Sequence, residues 1–522
     1  MVDPDLVEDV TALLAVDRDA FDDRVADESE TLKDAIREGA FDNPQGLVGF
    51  EYEFYAVRGE DPEARGTPAG ALCRIPRRTR SYVGFEKELG LHNAEISTTP
   101  QPLNEYGLAG QAAAVRARVA AARRAIVPHD MRFVSDGIWT IPPADESAAD
   151  YLTDSVTVDG LTIATNMAAS PRYHAMANSG LDHGMRIDLP YASLTADTIM
   201  PESLTTSIQP HYQVPRTEDF AEYFRYAIRL AGPLLALGVN APLLPPSLYD
   251  DVDPMAAIRG AHHDHRIHVF ESVMNGPSLE KVRFPADVDS AADAVDRIVA
   301  DPTIVPAEVT DQGRFDDAFV HLRHKHGTYW RWVRPVFEGA TRSAANARIE
   351  FRPLSGQPTV RDAIAFQAAF AGAVSGMTST MHPLAELEWD RARENFYAAA
   401  RDGLDAELSW ITADGEHTTD PATIFADLFE QAEIGLRNER IADEDVAQYL
   451  APLRHRVEER LTPAAWQLAH ARDAIAHGAT LSEAVVRAKR AYLRAQDETF
   501  LTGSFSTWSS PVGRSRRTAE AA

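Results

Sequence analysis

The sequence predicts an α+β protein: a mixed body of strands and helices followed by a helical C-terminal portion. Three observations carry that reading. Segments crowded with aromatic and branched residues, VGFEYEFYAV (Val48–Val57), SIQPHYQV and ARIEF, alternate with the two-residue period of strands. The stretch Gly107–Pro128, GLAGQAAAVRARVAAARRAIVP, is alanine-rich, studded with arginine and stopped by proline, which reads as a helix. After about Thr418 nearly every segment is helical in pattern, as in ADEDVAQYLAPLRHRVEERL and LSEAVVRAKRAYLRAQDETFL.

Taken in order, residues 1–42 place Leu6, Val10, Leu13, Leu14 and Phe21 among acids, an amphipathic helical lead-in. The first strand follows. Gly59–Arg80, rich in Gly, Pro and Arg without a sustained period, is expected to be a long loop of the kind that forms a lid or insertion. ELGLHNAEISTTPQPL supplies a second short strand with a proline-rich stop. Further helices are expected over Thr217–Leu237, Val360–Ser375 and Glu386–Leu408. The chain thus divides into a lead-in (1–42), a body (43–410), a helical portion (411–508) and a small polar tail (509–522) expected to fray.

Composition narrows the function. The 522 residues are 44% hydrophobic, ordinary for a globular chain with a large core. No apolar run approaches the roughly 18 residues that cross a bilayer, and the start MVDPDLVEDV lacks the features of a signal peptide, so a cytoplasmic location is expected. Cys73 is the single cysteine, which excludes an intrachain disulfide or a multi-cysteine metal site. The net charge is −28 with only five lysines, a surface suited to concentrated salt and to a halophilic source, with an acidic protein of a GC-rich mesophile as the other reading. Such a field disfavours nucleic acid. Partners are expected to be small molecules, with no membrane, and a homo-oligomer stays open.

The chemistry begins with what is missing. There is neither a G-x-x-x-x-G-K-[ST] loop nor a G-x-G-x-x-G after a strand. Without a glycine cradle, a triphosphate would have to be held through divalent cations on strand carboxylates. Glu51 and Glu53, two apart, share one strand face, and like charges so close call for a cation between them. Glu88, Glu95, His211 and Glu350 lie in other strand-like runs, and Arg352 shares a face with Glu350.

These segments together resemble the glutamate-cysteine ligase and carboxylate-amine ligase family. GFEYEFYAV is similar to its first strand, Gly, an apolar residue, then Glu-x-Glu-Phe. ELGLHNAEISTTPQPL resembles its second acidic motif, PRYHAM (Pro171–Met176) its Arg-Tyr-x-x-Met motif, and SLTTSIQPHYQVP its central strand. RYAIRLAGPLLALGVNAPLL is similar to the stretch ending in Ala-Asn-Ser-Pro, here Val239, Asn240, Ala241 and Pro242. RIEFRPLSGQPTVRDAIAF resembles the Glu-x-Arg strand and the turn after it, and RENFYAAARDGLDAEL the Glu-Asn helix. The patches keep family order from about residue 46 to 408. Two departures stand out: Gln209 and His211 replace the usual His-x-His, and insertions fall near Gly59–Arg80 and Ala144–Thr165.

What the resemblance implies is a curved antiparallel sheet of the glutamine synthetase type with flanking helices, whose inner face binds Mg²⁺ and ATP. It implies that Glu53, Glu88 and Glu95 hold one ion and Glu51, His211 and Glu350 another, with Glu51, Glu53, His211 and Asn240 at the cofactor. Arg352 would clamp a substrate carboxylate, Arg266 would hold an anion, and Arg172 reads as structural. The reaction implied is phosphoryl transfer from ATP to a carboxylate, then attack of an amine on the acyl phosphate, with a γ-glutamyl amide as product.

Two other readings stay open: a ligase-like regulatory or binding module without catalysis, favoured by Gln209, and a metal-dependent hydrolase of amides or phosphates. The histidine runs His262, His263, His265, His268 and His321, His324, His326 match no zinc spacing and are expected in loops bordering the nucleotide. Trp330 and Trp332 alternate as core residues do.

Overall fold

The structure, a computed structural model, describes residues 3–59 and 69–509. An eight-stranded antiparallel sheet curls into a half-barrel at its centre. Its strands are β1 (Leu47–Arg58), β2 (Glu86–Lys87), β3 (Asn93–Ser97), β4 (Gln101–Pro102), β5 (Met131–Val134), β6 (Ile208–Gln213), β7 (Val333–Glu338) and β8 (Asn346–Phe351). Their order is β7-β8-β6-β1-β3-β2, with β4 and β5 also pairing to β1. The long first strand is therefore the hub, and its residues reach four partners.

Alternation along β1 decides the two faces. Val48, Phe50, Tyr52 and Phe54 point into the core and are essentially unexposed, whereas Gly49, Glu51 and Glu53 point into the hollow. Register carries this pattern across the sheet: Glu51 faces Gln209, Glu53 faces Glu95, His211 faces Glu350, and Glu350 faces Arg334. Polar and titratable residues of five strands thereby share one concave surface.

Helices cover the convex side and the rims. The lead-in forms α1 (Pro4–Leu14) and α2 (Arg18–Arg37), each capped by an aspartate whose carboxylate accepts from the first turn. The alanine-rich stretch is α3 (Glu105–Ile126), followed by α4 (Pro171–Asn178), α5 (Phe220–Gly238) and α6 (His265–Met274). The short α7 (Val320–His326) precedes β7, and α8 (Val360–Thr380) crosses behind the sheet with almost every face buried. Then come α9 (Trp389–Asp402), α10 (Pro421–Asn438), α11 (Asp443–Glu458), α12 (Pro463–Ala476) and α13 (Leu481–Thr499). One hydrophobic core runs continuously from Leu6 through the sheet to Phe500, so the helical C-terminal portion packs into the body.

The expected long loop departs from its reading. Its final residues begin a helical turn over Arg77–Val83, while 60–68 lie outside the described residues. The second insertion contains a short helix, Ala148–Thr153, and a two-stranded ribbon, Ser155–Val158 with Leu161–Ala164. The tail after Ser509 also lies outside the described residues. Among the described residues no helix is long and apolar enough to cross a membrane.

Candidate active site

Two hollows meet on the concave face at Glu51. The first, about 350 Å³, holds Glu53, Glu88, Glu95, Glu202, Arg172 and Arg352. The second, about 490 Å³, is bordered by Gly49, Ser97, Thr98, His211 and Arg348. Gly49 keeps the second open beside His211, since a Cβ there would lie 3.3 Å from the His211 Cβ.

Glu51, His211 and Glu350 converge where the hollows join. One ligand atom from each lies within 4.8 Å of the others, and among the described residues no other trio of carboxylate, imidazole or thiol groups is so close. His211 Nε2 stands 3.4 Å from Glu51 Oε1 and has no hydrogen-bond partner. Arg348 Nε donates to His211 Nδ1 at 3.1 Å, so the proton of the neutral ring sits on Nε2. A cation at Nε2 requires that bond to open and the proton to move to Nδ1, and the Arg348 guanidinium has Glu338 and Asn346 to retain it.

Arginine surrounds the third member. Glu350 Oε2 accepts from Arg334 Nε at 2.9 Å and Oε1 from Arg352 Nη1 at 2.5 Å. Burial alone would raise its pKa, but Arg334 and Arg352 outweigh burial and hold the carboxyl well below the usual range. Arg352 Nη1 also donates to Gln209 Oε1 at 2.6 Å, and Gln209 Nε2 donates to Glu53 Oε1 at 2.9 Å. The glutamine in place of a family histidine thus bridges an arginine and a carboxylate.

The second set is arranged differently. Glu53 Oε2 accepts from the Ser207 N–H at 2.7 Å, so both its oxygens are held. Glu88 and Glu95 lie close enough to act on each other's titration, and Glu95 stands opposite Glu53 across the ladder. Glu53, Glu88 and Glu95 border the same hollow, but among the described residues they do not bring ligand atoms as close together as Glu51, His211 and Glu350 do, and both oxygens of Glu53 already accept hydrogen bonds.

Burial is the leading cause in each raised acid. Glu51 is pushed well above the usual range by burial, then by Glu95 and Glu350. Glu88 rises to about 8 and Glu202 to about 7, both by burial and then by Glu53. Burial drives the His211 imidazole down to about 3, leaving it neutral, the state that ligates a metal. The donor set, carboxylates with one neutral imidazole, fits a hard divalent cation, which would draw off the protons that the crowded acids retain.

Two expected residues lie elsewhere. Asn240 is fully buried, with Nδ2 donating to the Gly356 carbonyl and to the Tyr492 hydroxyl and Oδ1 accepting from Gln467, so it braces the body and borders neither hollow. Arg266 donates to the Arg352 and Pro353 carbonyls at 2.8 and 3.0 Å and lies 5.2 Å over the Trp332 ring. Its side chain positions the Arg352 backbone, and its charge acts on Glu53. Trp332 is core, as alternation predicts, while Trp330 borders the first hollow. The histidines of both runs find partners within the protein. His262 stacks on His265 and meets His268 at a tilt, and His321, His324 and His326 bond to Glu28 and to the Val305 and Pro335 carbonyls.

Sequence reasoning passed over Arg334, Arg348 and Glu202. Arg348 had a signal, since it alternates with Glu350 and Arg352 in one strand. Arg334 had a weaker one in the strand-like run WRWVRPVF. Glu202 had none, because it enters from a short helical turn, Met200–Leu204.

The profile of Glutamate-cysteine ligase family 2 matches residues 47–488. No curated protein matches the chain. Among solved structures, the fold is similar to a glutamate-cysteine ligase from Francisella tularensis in complex with AMP. The TM-score is 0.50 at 13% identity, covering 88% of this chain and 91% of that one. A bifunctional glutathione synthetase from Pasteurella multocida aligns at a TM-score of 0.46 and 12% identity, over 90% of this chain and 55% of that one.

Proposed function

Because the chain belongs to glutamate-cysteine ligase family 2, we propose that its concave face couples a carboxylate to an amine at the expense of ATP. The observation that carries this reading is the convergence of Glu51, His211 and Glu350, from three neighbouring strands, beside the Arg352 and Arg334 guanidiniums. The finer reading is formation of a γ-glutamyl amide, with glutamate as carboxylate and cysteine as the leading acceptor.

Glu51, His211 and Glu350 are the residues that would hold one Mg²⁺, and Glu53, Glu88 and Glu95 a second. When bound, Mg²⁺ supplies neutralisation of the phosphate oxygens of ATP. The chain's own groups do the rest. Arg352, fixed through Gln209, Glu350 and the Arg266 contact to its carbonyl, orients the carboxylate that takes the γ-phosphoryl group. The amine then attacks the acyl phosphate, forming the C–N bond as phosphate leaves. Glu202, with a pKa of about 7, takes the proton the amine loses. The walls of the first hollow, Phe270 and Trp330 among them, keep water from the acyl phosphate.

Gln209 is the feature that favoured an inactive protein. Its amide holds both Glu53 and Arg352, so the substitution leaves no hole in the site and does not carry that reading.

The test is ADP release with glutamate, Mg²⁺ and a panel of amines in high KCl. Amide formation strictly dependent on ATP is expected, and Glu51→Gln is expected to lower it by about a hundredfold or more while the chain stays folded. Amine-independent turnover, or an undiminished Glu51→Gln enzyme, would sink the proposal.

A further inference from the structure

A third hollow, about 1010 Å³, lies off the concave face and shares no lining residue with the other two. It backs onto the first through α6 and the segment after α7. Phe270, Met274 and Trp330 turn to the first hollow, and Glu271, Asn275 and Arg331 to the third.

The groups that line it differ from its floor to its mouth. Glu271 Oε1 accepts from Trp332 Nε1 and the Tyr397 hydroxyl, both at 2.8 Å, which leaves Oε2 to the hollow that Glu271 lines. Four-residue spacing on α9 puts Trp389, Arg393 and Tyr397 along one stripe of the helix, and all three line the hollow. Trp389 Nε1 is spent on the Pro285 carbonyl at 2.8 Å, so the indole has its face to offer. The Arg283 and Arg297 side chains are 45% and 37% exposed and are paired only with acids three or four positions away, Glu280 and Asp293, contacts that water screens. Arg393 is exposed, forms no ion pair among the described residues and lies 5.2 Å over the Tyr397 ring. The buried Arg331, by contrast, is spent on Asp301 at 2.7 Å. In a chain of net charge −28, three guanidiniums around one opening favour an anion there.

We propose that this hollow is a second small-molecule site, for a nucleoside phosphate whose base carries an amino group. The amine donates to Glu271 Oε2, the base lies along the Trp389 indole, and the phosphate meets Arg283, Arg297 and Arg393 at the mouth. Occupancy reaches the concave face through Trp332, which Glu271 holds and whose ring lies 5.2 Å from the Arg266 guanidinium, and Arg266 in turn donates to the Arg352 carbonyl. Only that effect on turnover rests on the ligase reading; binding does not.

The probes are AMP and IMP, which differ in an amine against a carbonyl on the base, titrated by calorimetry into the whole chain with EDTA and no ATP. The titration is run about one pH unit above the Glu271 pKa, which burial raises to about 7, so that the carboxylate is ionised and accepts. Wild type is expected to bind AMP about tenfold more tightly than IMP. Glu271→Gln keeps an oxygen for Trp332 and Tyr397 and turns an amide N–H to the hollow, so the preference is expected to reverse. Arg393→Met is expected to weaken both nucleotides by about tenfold. No binding by wild type, or AMP binding that Glu271→Gln, Arg393→Met and Trp389→Leu all leave unchanged and that therefore belongs to the concave face, overturns the proposal.

In turnover at saturating ATP, AMP is expected to shift the KM of the carboxylate substrate by about fivefold, and Arg393→Met to remove the shift. Trp332→Phe deletes the Nε1 donor but keeps a ring beneath Arg266, so it is expected to remove the shift and leave AMP affinity unchanged. An unmoved KM overturns the link to Arg352. Absence of any ligation would count against the ligase reading and leave the binding result standing.

Discussion

The concave face and the seam where the C-terminal helices meet the sheet both bury charge, but they balance it in opposite ways. At the seam each acid has its own base. Lys489 of α13, fully buried, pairs with Asp136 and donates to the Ile138 carbonyl at 2.7 Å. Arg456 of α11 pairs with Asp362 at 3.2 Å, and Asp362 also accepts from Ser504 and from the Phe505 N–H. On the concave face, by contrast, Glu51, Glu88, Glu95 and Glu202 crowd together with raised pKa values, while no carboxylate among the described residues pairs with Arg172. Matched charges of the first kind lock a fold together. Unmatched ones cost stability and persist where a ligand completes them.

The largest effect should come from breaking a match. Lys489→Met leaves Asp136 buried and unpaired and is expected to destabilise the protein by about 3–5 kcal/mol, read as a fall in the denaturation midpoint. Adding Asp136→Asn should recover much of that loss; a double variant as unstable as the single one would show that packing, not charge, holds the seam.

Relieving a mismatch should act the other way. Without Mg²⁺ at neutral pH, Glu95→Gln is expected to raise stability by about 1 kcal/mol, since it removes a carboxyl that burial and Glu88 oppose ionising. The same change should reduce ligation. A Glu95→Gln protein less stable than wild type would place this acid with the matched class.

A third effect concerns pH and an acid between the two classes. Glu271 accepts from Trp332 Nε1 and the Tyr397 hydroxyl, both at 2.8 Å, forms no ion pair among the described residues and feels only the more distant charge of Arg393, and burial raises it to about 7. A raised carboxyl contributes stability that is complete below its ordinary pKa near 4.5 and is lost as pH rises through about 7. Wild-type stability should therefore decline across that window, and Glu271→Gln should flatten the slope. Parallel pH curves for the two proteins would exclude Glu271 as the source.

Much of the site was readable before the structure because strand geometry is local. The two-residue period fixes that Glu51 and Glu53 share a face, and that Glu350 and Arg352 do. The destinations of Asn240 and Arg266 were not readable. Asn240 meets Tyr492, 252 positions away, and Arg266 meets the Arg352 carbonyl, 86 positions away. A motif shows that a residue type recurs near a site, but not which way the backbone turns it. Lysine scarcity, read as a surface property, acquires a second meaning: Lys281, Lys325 and Lys489, three of the five lysines, are buried partners of Asp301, Asp22 and Asp136.

The sequence by itself determined the strands and most helices, the faces on which their side chains fall, and the placing of several carboxylates on strand faces, since all of these follow from short-range periodicity. Only the tertiary structure decided which charges are answered. Antiparallel register set Arg334 opposite Glu350, chain crossing brought Glu202 into the hollow, and the return of α13 supplied Asp136 with Lys489. Compensation of a buried charge depends on neighbours a few ångströms away, and in a folded chain those neighbours come from distant positions in the sequence.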